Sequence, residues 1–530
     1  MSKQEFDVAV VGAGFAGMYL LHRLRKLGFR ARVIEAGSDV GGTWYWNRYP
    51  GARVDIESMQ YSYQFDEELQ QEWQWSERYS PQPEILQYAG HVADRFDLRR
   101  DIQFDTRVAA ASYDEKSALW TLKAEDGTKT VARFFVMATG CLSKPNWPQI
   151  DGLDSFKGPT YHTAQWPHEK IDFTGKRVAV IGTGSSAIQS IPVIADEAAE
   201  VFVFQRTANY AIPANNAPLD QKYEHEVKSR YAEFRAEAKQ TPPGIHGRFR
   251  QGKALEATAE ERQAEYEQRW ETGGLSFMGA YGDLIFDQEA NDTAAEFVRN
   301  KIRGLVEDPD IAELLCPKNI IGGKRLCVDT NYFSTYNRDH VHLIDVEAQP
   351  IEAITPTGVR AQGKNFEVDA LVIATGFDAM TGALTQVDIK GRNDASLQKR
   401  WADGPTSYLG LAMADFPNLF TVTGPGSPSV FTNMLPTIEQ HVDWIADCIA
   451  YMKDRNYSAI EATPEAEAAW WEHVQDCVVE GLKATTNSWY LGANVAGKAR
   501  VFMPYYGGFP NYCRKCEEVV AAGYEGFAFA

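Results

Sequence analysis

The chain has 530 residues, 44% of them hydrophobic and 24% charged, and a net charge of −19 at neutral pH. That length supports two or three domains with sizeable cores, and the acidic balance argues against nucleic acid or an anionic membrane surface as partner. No apolar run approaches the ~18 residues of a membrane span, and seven scattered cysteines, an odd number in a long chain, suit reduced thiols in a cytoplasmic protein.

Residues 7–11 (DVAVV) predict a strand, and Gly12-x-Gly14-x-Ala16-Gly17 follows at once, leading into a helix over about 18–27. A second strand, 31–34, ends in Glu35, 23 residues beyond Gly12. Glycines let a turn approach a pyrophosphate, the helix offers free N–H groups, and an acid at this strand end accepts ribose hydroxyls. A lone GxGxxG is weak evidence, but here strand, turn, helix, strand and acid fall in order. The apolar stretch 8–21 follows Glu5 and Asp7 rather than a basic cluster, so it does not read as a signal peptide.

The next stretch, Gly41-Gly42-Thr43-Trp44-Tyr45-Trp46 through Arg53-Val54-Asp55, makes a poor strand or helix. It is either a packed surface loop or a loop whose backbone and aromatic faces hold a flat ring system. Residues 134–140 (FFVMATG) and 371–378 (LVIATGFD) read as matching strand ends, as of two nucleotide-binding units meeting at one interface.

A second phosphate turn follows the strand 176–181: Gly182-Thr183-Gly184-Ser185-Ser186-Ala187. Its partner strand, 201–204, leads to Arg206-Thr207, with Arg206 24 residues beyond Gly182. A base where the first unit has an acid suits a 2′-phosphate, so this unit is expected to take NADP. Residues 219–317 change character, with charged helical runs such as 223–238 and 259–270, and read as a helical insertion capping the active site. Gly322-Gly323-Lys324-Arg325 ends it, and 341–346 resumes a strand. Downstream, Gly424 to Met434 forms a glycine-rich turn before a helix expected from Thr437. Cys513 and Cys516 form a CxxC with no second pair, which reads as one-turn helical spacing. There is no solenoid repeat, and no metal site is expected.

One unit for FAD and one for NADPH imply hydride transfer from nicotinamide to flavin. A disulfide reductase would need a redox pair early in the chain. The first cysteine is Cys141, and no pair precedes Cys513, so reduced flavin is expected to pass its electrons to O₂.

Two motifs make the resemblance specific. Phe156-x-Gly158-x-x-x-His162-x-x-x-Trp166-Pro167 and Gly42-x-Trp44-x-x-x-x-Tyr49-Pro50-Gly51-x-x-x-Asp55 resemble those of the type I Baeyer–Villiger monooxygenases. The likeness runs from Asp7 to Phe527 and includes YSPQPEIL at Tyr79, YNRD at Tyr336, GPGSPS at Gly424 and SWYLGANVAGK at Ser488. It implies an α/β fold of two Rossmann-like domains, for FAD and NADP, with a helical insertion. The expected division is 1–145 with 378–530 for FAD, 146–212 with 323–377 for NADP, and 213–322 for the insertion.

It also implies a flavin C4a-peroxide that converts a ketone, with NADPH and O₂, to an ester or lactone. Arg325 matches the active-site arginine and Asp55 the carboxylate that positions it. Lys324 and Arg206 match groups on the 2′-phosphate, and Trp489 a mobile loop over NADP. Tyr61, Val108, Gln189 and Met434 complete the expected cofactor contacts. His162 and Trp166, four residues apart, would share a face of a helix; they read as packing or hydrogen-bonding groups of a linker, not as catalysts. The second turn has alanine as its third small residue, which still fits helix–strand packing. A flavin monooxygenase acting on nitrogen or sulfur is the near alternative, and a non-catalytic redox sensor the distant one. A monomer is expected.

Overall fold

The computed structural model describes residues 5–479 and 481–530. Phe6–Val11, buried over its last four residues, sits inside an eight-stranded sheet. It pairs in parallel with Ala31–Ile34 on one side and Lys129–Met137 on the other. Ile102–Gln103 extends one edge. On the other, Val108–Asp114, Leu119–Ala124 and the first half of Lys129–Met137 form an antiparallel meander, with Asp388–Lys390 outermost. Leu419–Thr421 joins Lys129–Met137 in parallel.

A second sheet has five parallel strands in the order Val341–Asp345, Glu200–Gln205, Arg177–Ile181, Ala370–Ile373, Thr160–His162. All five fall in sequence between Met137 and Asp388, so the chain leaves the first sheet at 138–159 and returns at 374–387. The apolar β-branched runs suit strands buried on both faces.

Helix Phe15–Lys26 begins three residues before its expected start, because Phe15, Ala16 and Gly17 of the glycine motif are its first turn. Met434–Asp454 also begins early, where the Asn433 side chain accepts the Leu435 N–H. These two helices lie together: the Tyr19 hydroxyl donates to Asp443 at 2.7 Å. Within the stretch expected to be a loop, Thr43–Trp46 closes one helical turn and buries Trp44 and Tyr45. His162 ends a strand and Thr163–Gln165 is a 3₁₀ turn, so His162 and Trp166 do not share a helical face.

The insertion is closed at its neck, where Ala211–Pro213 pairs with Cys327–Asp329. Its helices divide between two cores. Gln221–Ser229 and Tyr231–Lys239 bury Val227, Tyr231 and Phe234 in the core of the first sheet. Ala259–Thr272 and Gln288–Leu305 bury Tyr266, Phe297 and Ile302 in that of the second. The expectation of one insertion attached to the NADP unit alone therefore covers only its second half. Hydrogen bonds from Tyr231 to Met59 O and from Arg235 to Gln60 O hold the first half on the other unit.

Cys513 and Cys516 lie on helix Phe509–Ala521, and burial pushes both thiols up to about 12, the opposite of a reactive pair. No helix among the described residues is long and apolar enough to cross a membrane.

Candidate active site

The parallel strands of both sheets point their carboxyl ends into one cavity of about 1950 Å³. Val11, Ile34 and Ala138 reach it from the first sheet, and Ile181, Phe204 and Ala374 from the second. The two ATG segments have a shared physical role. Gly12 has φ +103° and Gly182 φ +111°; a Cβ on the first would lie 2.6 Å from Ala138 O, and on the second 2.5 Å from Ala374 O. Each turn presses on a strand end where only glycine fits.

Both turns open into helices whose N-caps, Gly14 and Gly184, supply no side-chain hydrogen bond. The first-turn N–H groups are thus left for a ligand, and Ala16, Ser185 and Ser186 line the cavity there. This chemistry fits a pyrophosphate at each turn. Glu35 is 5% exposed, and its carboxylate accepts N–H groups of Ala13 at 2.6 Å and Gly37 at 2.7 Å. Burial outweighs these bonds and raises its pKa. Its position on the wall, with lone pairs remaining, fits a ribose diol.

Gly12, Thr43, Trp44, Trp46, Arg53, Val54, Asp55, Tyr61 and Val108 also line the cavity. From the second unit come Gly182, Thr183, Gln189, Arg206, Thr207, Lys324 and Arg325, and from the C-terminal part of the chain Met434 and Trp489. Three expected contacts are not on this wall. Gly17 is a packing residue, since a Cβ there would lie 1.9 Å from Gly12 O. Ala187 is fully buried against the second core. Tyr45 turns away, its hydroxyl meeting Ser38 N and Oγ at 3.0 and 2.8 Å.

Arg325 is the best-defined group. Its Nε donates to Asp55 Oδ2 at 2.5 Å, Nη2 to Asp55 Oδ1 at 2.9 Å, and Nη1 to Val430 O at 2.7 Å. Burial opposes the charge, but Asp55 more than compensates and the guanidinium pKa lies above its ordinary value. Val430 follows Ser429, a residue with φ +41°, in the glycine-rich turn. Tyr61 accepts a hydrogen bond from Trp44 Nε1 at 3.2 Å beside this pair. Lys324 is lowered by burial and by the nearby Arg206 charge, so two cations share one part of the wall. Gln189 also ties the units together: Tyr49 donates to its Oε1 at 2.8 Å and its Nε2 donates to Arg53 O at 3.1 Å.

His162 is 2% exposed, accepts the Ala164 N–H on Nδ1 and packs on Trp147; burial brings it down to about 4. It is a neutral packing group.

Sequence reasoning missed the fastening of the Trp489 segment. Asn146 Nδ2 donates to Asn494 O at 2.9 Å and Asn494 Nδ2 to Phe377 O at 2.7 Å. Lys498 and Lys144 both pair with Asp378. The segment is thereby tied to both crossings between the sheets. Asp378 and Lys498 each stood in a noted motif, but nothing local links them.

Comparison with known proteins adds three findings. The pyridine nucleotide-disulphide oxidoreductase family matches residues 9–256. A Baeyer-Villiger monooxygenase of Pseudooceanicola batsensis is 42% identical, over 98% of this chain and 95% of its own, and a phenazine N-monooxygenase of Lysobacter antibioticus is 40% identical, over 99% and 97%. A solved structure of oxidized steroid monooxygenase bound to NADP superposes with a TM-score of 0.94 at 53% identity, covering 99% of both chains.

Proposed function

The chain belongs to the Baeyer–Villiger monooxygenase family, and on that premise we propose that it converts ketones to esters or lactones with NADPH and O₂. It is an FAD- and NADPH-dependent monooxygenase. Bound FAD, once reduced by NADPH, supplies the electrons and the activation of O₂. The chain supplies binding and charge. The first-turn N–H groups after Gly14 and Gly184 hold pyrophosphates, Glu35 holds a ribose, and Arg206 with Lys324 holds a 2′-phosphate.

The observation that carries the reading is the Arg325–Asp55 pair in the wall of a cavity shared by two nucleotide units. When a ketone carbon is attacked, its oxygen becomes negative. A cation that stays protonated at every working pH and is already fixed in its plane stabilises that charge without reorganising. Of five guanidinium N–H groups, three are engaged by Asp55 and Val430. Two remain for substrate. Asp55 positions the guanidinium and neutralises it in part, so that it can be buried.

We also propose the division into a discontinuous FAD domain, 1–145 with 378–530, and an NADP domain, 146–212 with 323–377. Two sheets built from those segments support it. All seven cysteines are free, which supports a cytoplasmic protein; it is proposed to act as a monomer.

Oxidation of a heteroaromatic nitrogen is the second reading, favoured only by the phenazine N-monooxygenase likeness. One assay separates the two. Cyclic, aryl and linear ketones, and phenazine, are each supplied with NADPH and O₂, and products are identified by mass. Esters or lactones are expected. Phenazine oxides without any ester would replace the first reading by the second.

A further inference from the structure

A second cavity, of about 360 Å³, lies on the seam between the two units. Arg48, Pro50 and Gln82 line it from the first unit, residues 166–171 and Phe173 from the linker, and Val193 and Glu197 from helix Ser185–Glu197 of the second. None of these residues lines the larger cavity. The seam beside it is tight: Gly51 has φ +77°, and a Cβ there would lie 2.2 Å from Gln189 O and 3.1 Å from Val193 Cγ2. The loop that carries Arg48 is thus pressed directly on the helix that carries Val193.

Most of the wall is apolar: Pro50, Trp166, Pro167, Ile171, Phe173 and Val193, the last 37% exposed. Arg48 stands against it. Its Nε donates to Tyr45 O at 2.9 Å and its Cζ lies 5.3 Å from the centre of the Tyr45 ring, which fixes the guanidinium. Both Nη groups are without a hydrogen-bond or ion-pair partner among the described residues. Together they form a fork that matches a carboxylate. His168 packs on the same Tyr45 ring at 4.8 Å. Burial and the Arg48 charge lower its pKa against the pull of Glu169, so at neutral pH it is an uncharged donor. Burial also lowers Arg48, and neither Glu169 nor Glu197 of the same wall offsets it. Glu197 accepts the Phe173 N–H at 3.2 Å, and Glu169 and Lys170 are exposed, with opposite charges.

We propose that this cavity binds a small monocarboxylate with an apolar body, which bridges the two units. The carboxylate takes the Nη pair of Arg48, and the alkyl or aryl part covers Trp166, Phe173 and Val193. A cavity of this size, mostly apolar with a few placed polar groups, is of the kind that holds a small molecule. One guanidinium and one neutral imidazole match a monoanion; a phosphate dianion would need more donors and would meet Glu169 and Glu197. The site is independent of the ketone reading above.

The test uses the holoenzyme with NADP⁺ bound, so that both nucleotide sites are filled. It is titrated by calorimetry with hexanoate and phenylacetate, each beside its neutral amide, and with inorganic phosphate. At least one acid is expected to bind about 10- to 100-fold more tightly than its amide, as for a charged hydrogen bond. Arg48→Gln should bring that ratio to about one, and Arg48→Lys should keep part of it. Val193→Glu, on the facing wall, should weaken the acid more than the amide, and decides the matter where Arg48→Gln fails to fold. Arg325→Ala should leave the ratio as it is. An acid bound no more tightly than its amide in wild type overturns the site, and so does a ratio that Arg48→Gln or Val193→Glu leaves intact. Loss of the ratio in Arg325→Ala puts the acid in the larger cavity and overturns the site as well. Phosphate bound as tightly as the acid overturns the ligand class.

Discussion

Asp55 receives two N–H groups of Arg325, at 2.5 and 2.9 Å, from 270 residues away in sequence. Hydride transfer between stacked rings needs positioning more than it needs a cation, whereas attack on a ketone builds negative charge beside the guanidinium. Arg325→Ala should therefore keep FAD bound and still be reduced by NADPH, with ester formation down by about 100- to 1000-fold. The O₂ consumed should appear as hydrogen peroxide. Asp55→Ala should weaken reduction and oxygenation together, because it frees the guanidinium and opens the wall near the flavin. Stopped-flow reduction beside product analysis separates the two variants. Near wild-type ester yield from Arg325→Ala would end the proposed role.

Arg206 and Lys324 concentrate positive charge where a 2′-phosphate would lie. Arg206→Ala should raise KM for NADPH by about 10- to 100-fold, the loss of a charge-assisted contact, and leave KM for NADH almost unchanged. Lys324→Ala should follow the same pattern. Wild-type enzyme that uses NADH as well as NADPH would remove the assignment.

What was legible before the structure follows a physical line. The turns at Gly12 and Gly182, Glu35 and Arg206 announce themselves because strand, glycine and helix chemistry act over a few residues. The ATG repeats were visible, but not that Ala138 O and Ala374 O press on the two glycines. Arg325 and Asp55 had no local signal and were reached through family resemblance. Tyr45 was misplaced because composition does not say which way a ring turns. The divided insertion was missed because two helical runs with similar periodicity bury their faces in different cores. Asn494 and the Asp378 pairs depend on contacts between distant segments, which no spacing encodes.

Glu439 predicts a pH dependence of stability. Its Oε1 accepts the Gln64 and Phe65 N–H groups at 2.6 and 3.0 Å, while Oε2 is buried with no partner among the described residues. Burial pushes the carboxyl from 4.5 up to about 7; Arg235 and Lys239 pull it down and Asp443 pushes it up, without reversing the shift. The folded value exceeds the unfolded one, so the fold favours the protonated form. Its contribution is complete below 4.5 and is lost as pH rises through about 7. The full swing is about 3 kcal/mol. Glu439→Gln keeps the acceptor and cannot ionise, so its Tm should match wild type below about pH 4.5, exceed it by a growing margin between about pH 4.5 and 7, and keep that margin above. A Tm difference that stays constant across this range would show that Glu439 does not titrate as described.

Lys498 predicts how the Trp489 segment is kept closed. Its ammonium donates to Asp378 Oδ1 at 2.6 Å and Ala379 O at 2.8 Å, and Lys144 takes Asp378 Oδ2 at 3.1 Å. Lys498 and Asp378 are 15% and 13% exposed, whereas Lys144 is 41% exposed. Burial alone would raise the Asp378 carboxyl, but the two lysines overcome it and hold it below its ordinary range. The strap is therefore complete at neutral pH and is lost as acid protonates Asp378. Lys498→Ala leaves a buried carboxylate with one partly solvated partner, a local cost of about 2–4 kcal/mol. Because Asn494 binds Phe377 O and is bound by Asn146, the loss falls on the whole segment that carries Trp489 to the cavity. Limited proteolysis with NADP⁺ present should cut the variant within residues 485–500 much faster than wild type. The same variant should release more hydrogen peroxide per ester formed, since a loosened wall admits water. Lys498→Arg should restore most of the protection, as a cation that still reaches Asp378. Equal cleavage rates in wild type and Lys498→Ala would mean that the segment is held by its apolar contacts, Tyr490 and Phe502 foremost, and that the ion pairs contribute nothing to closure.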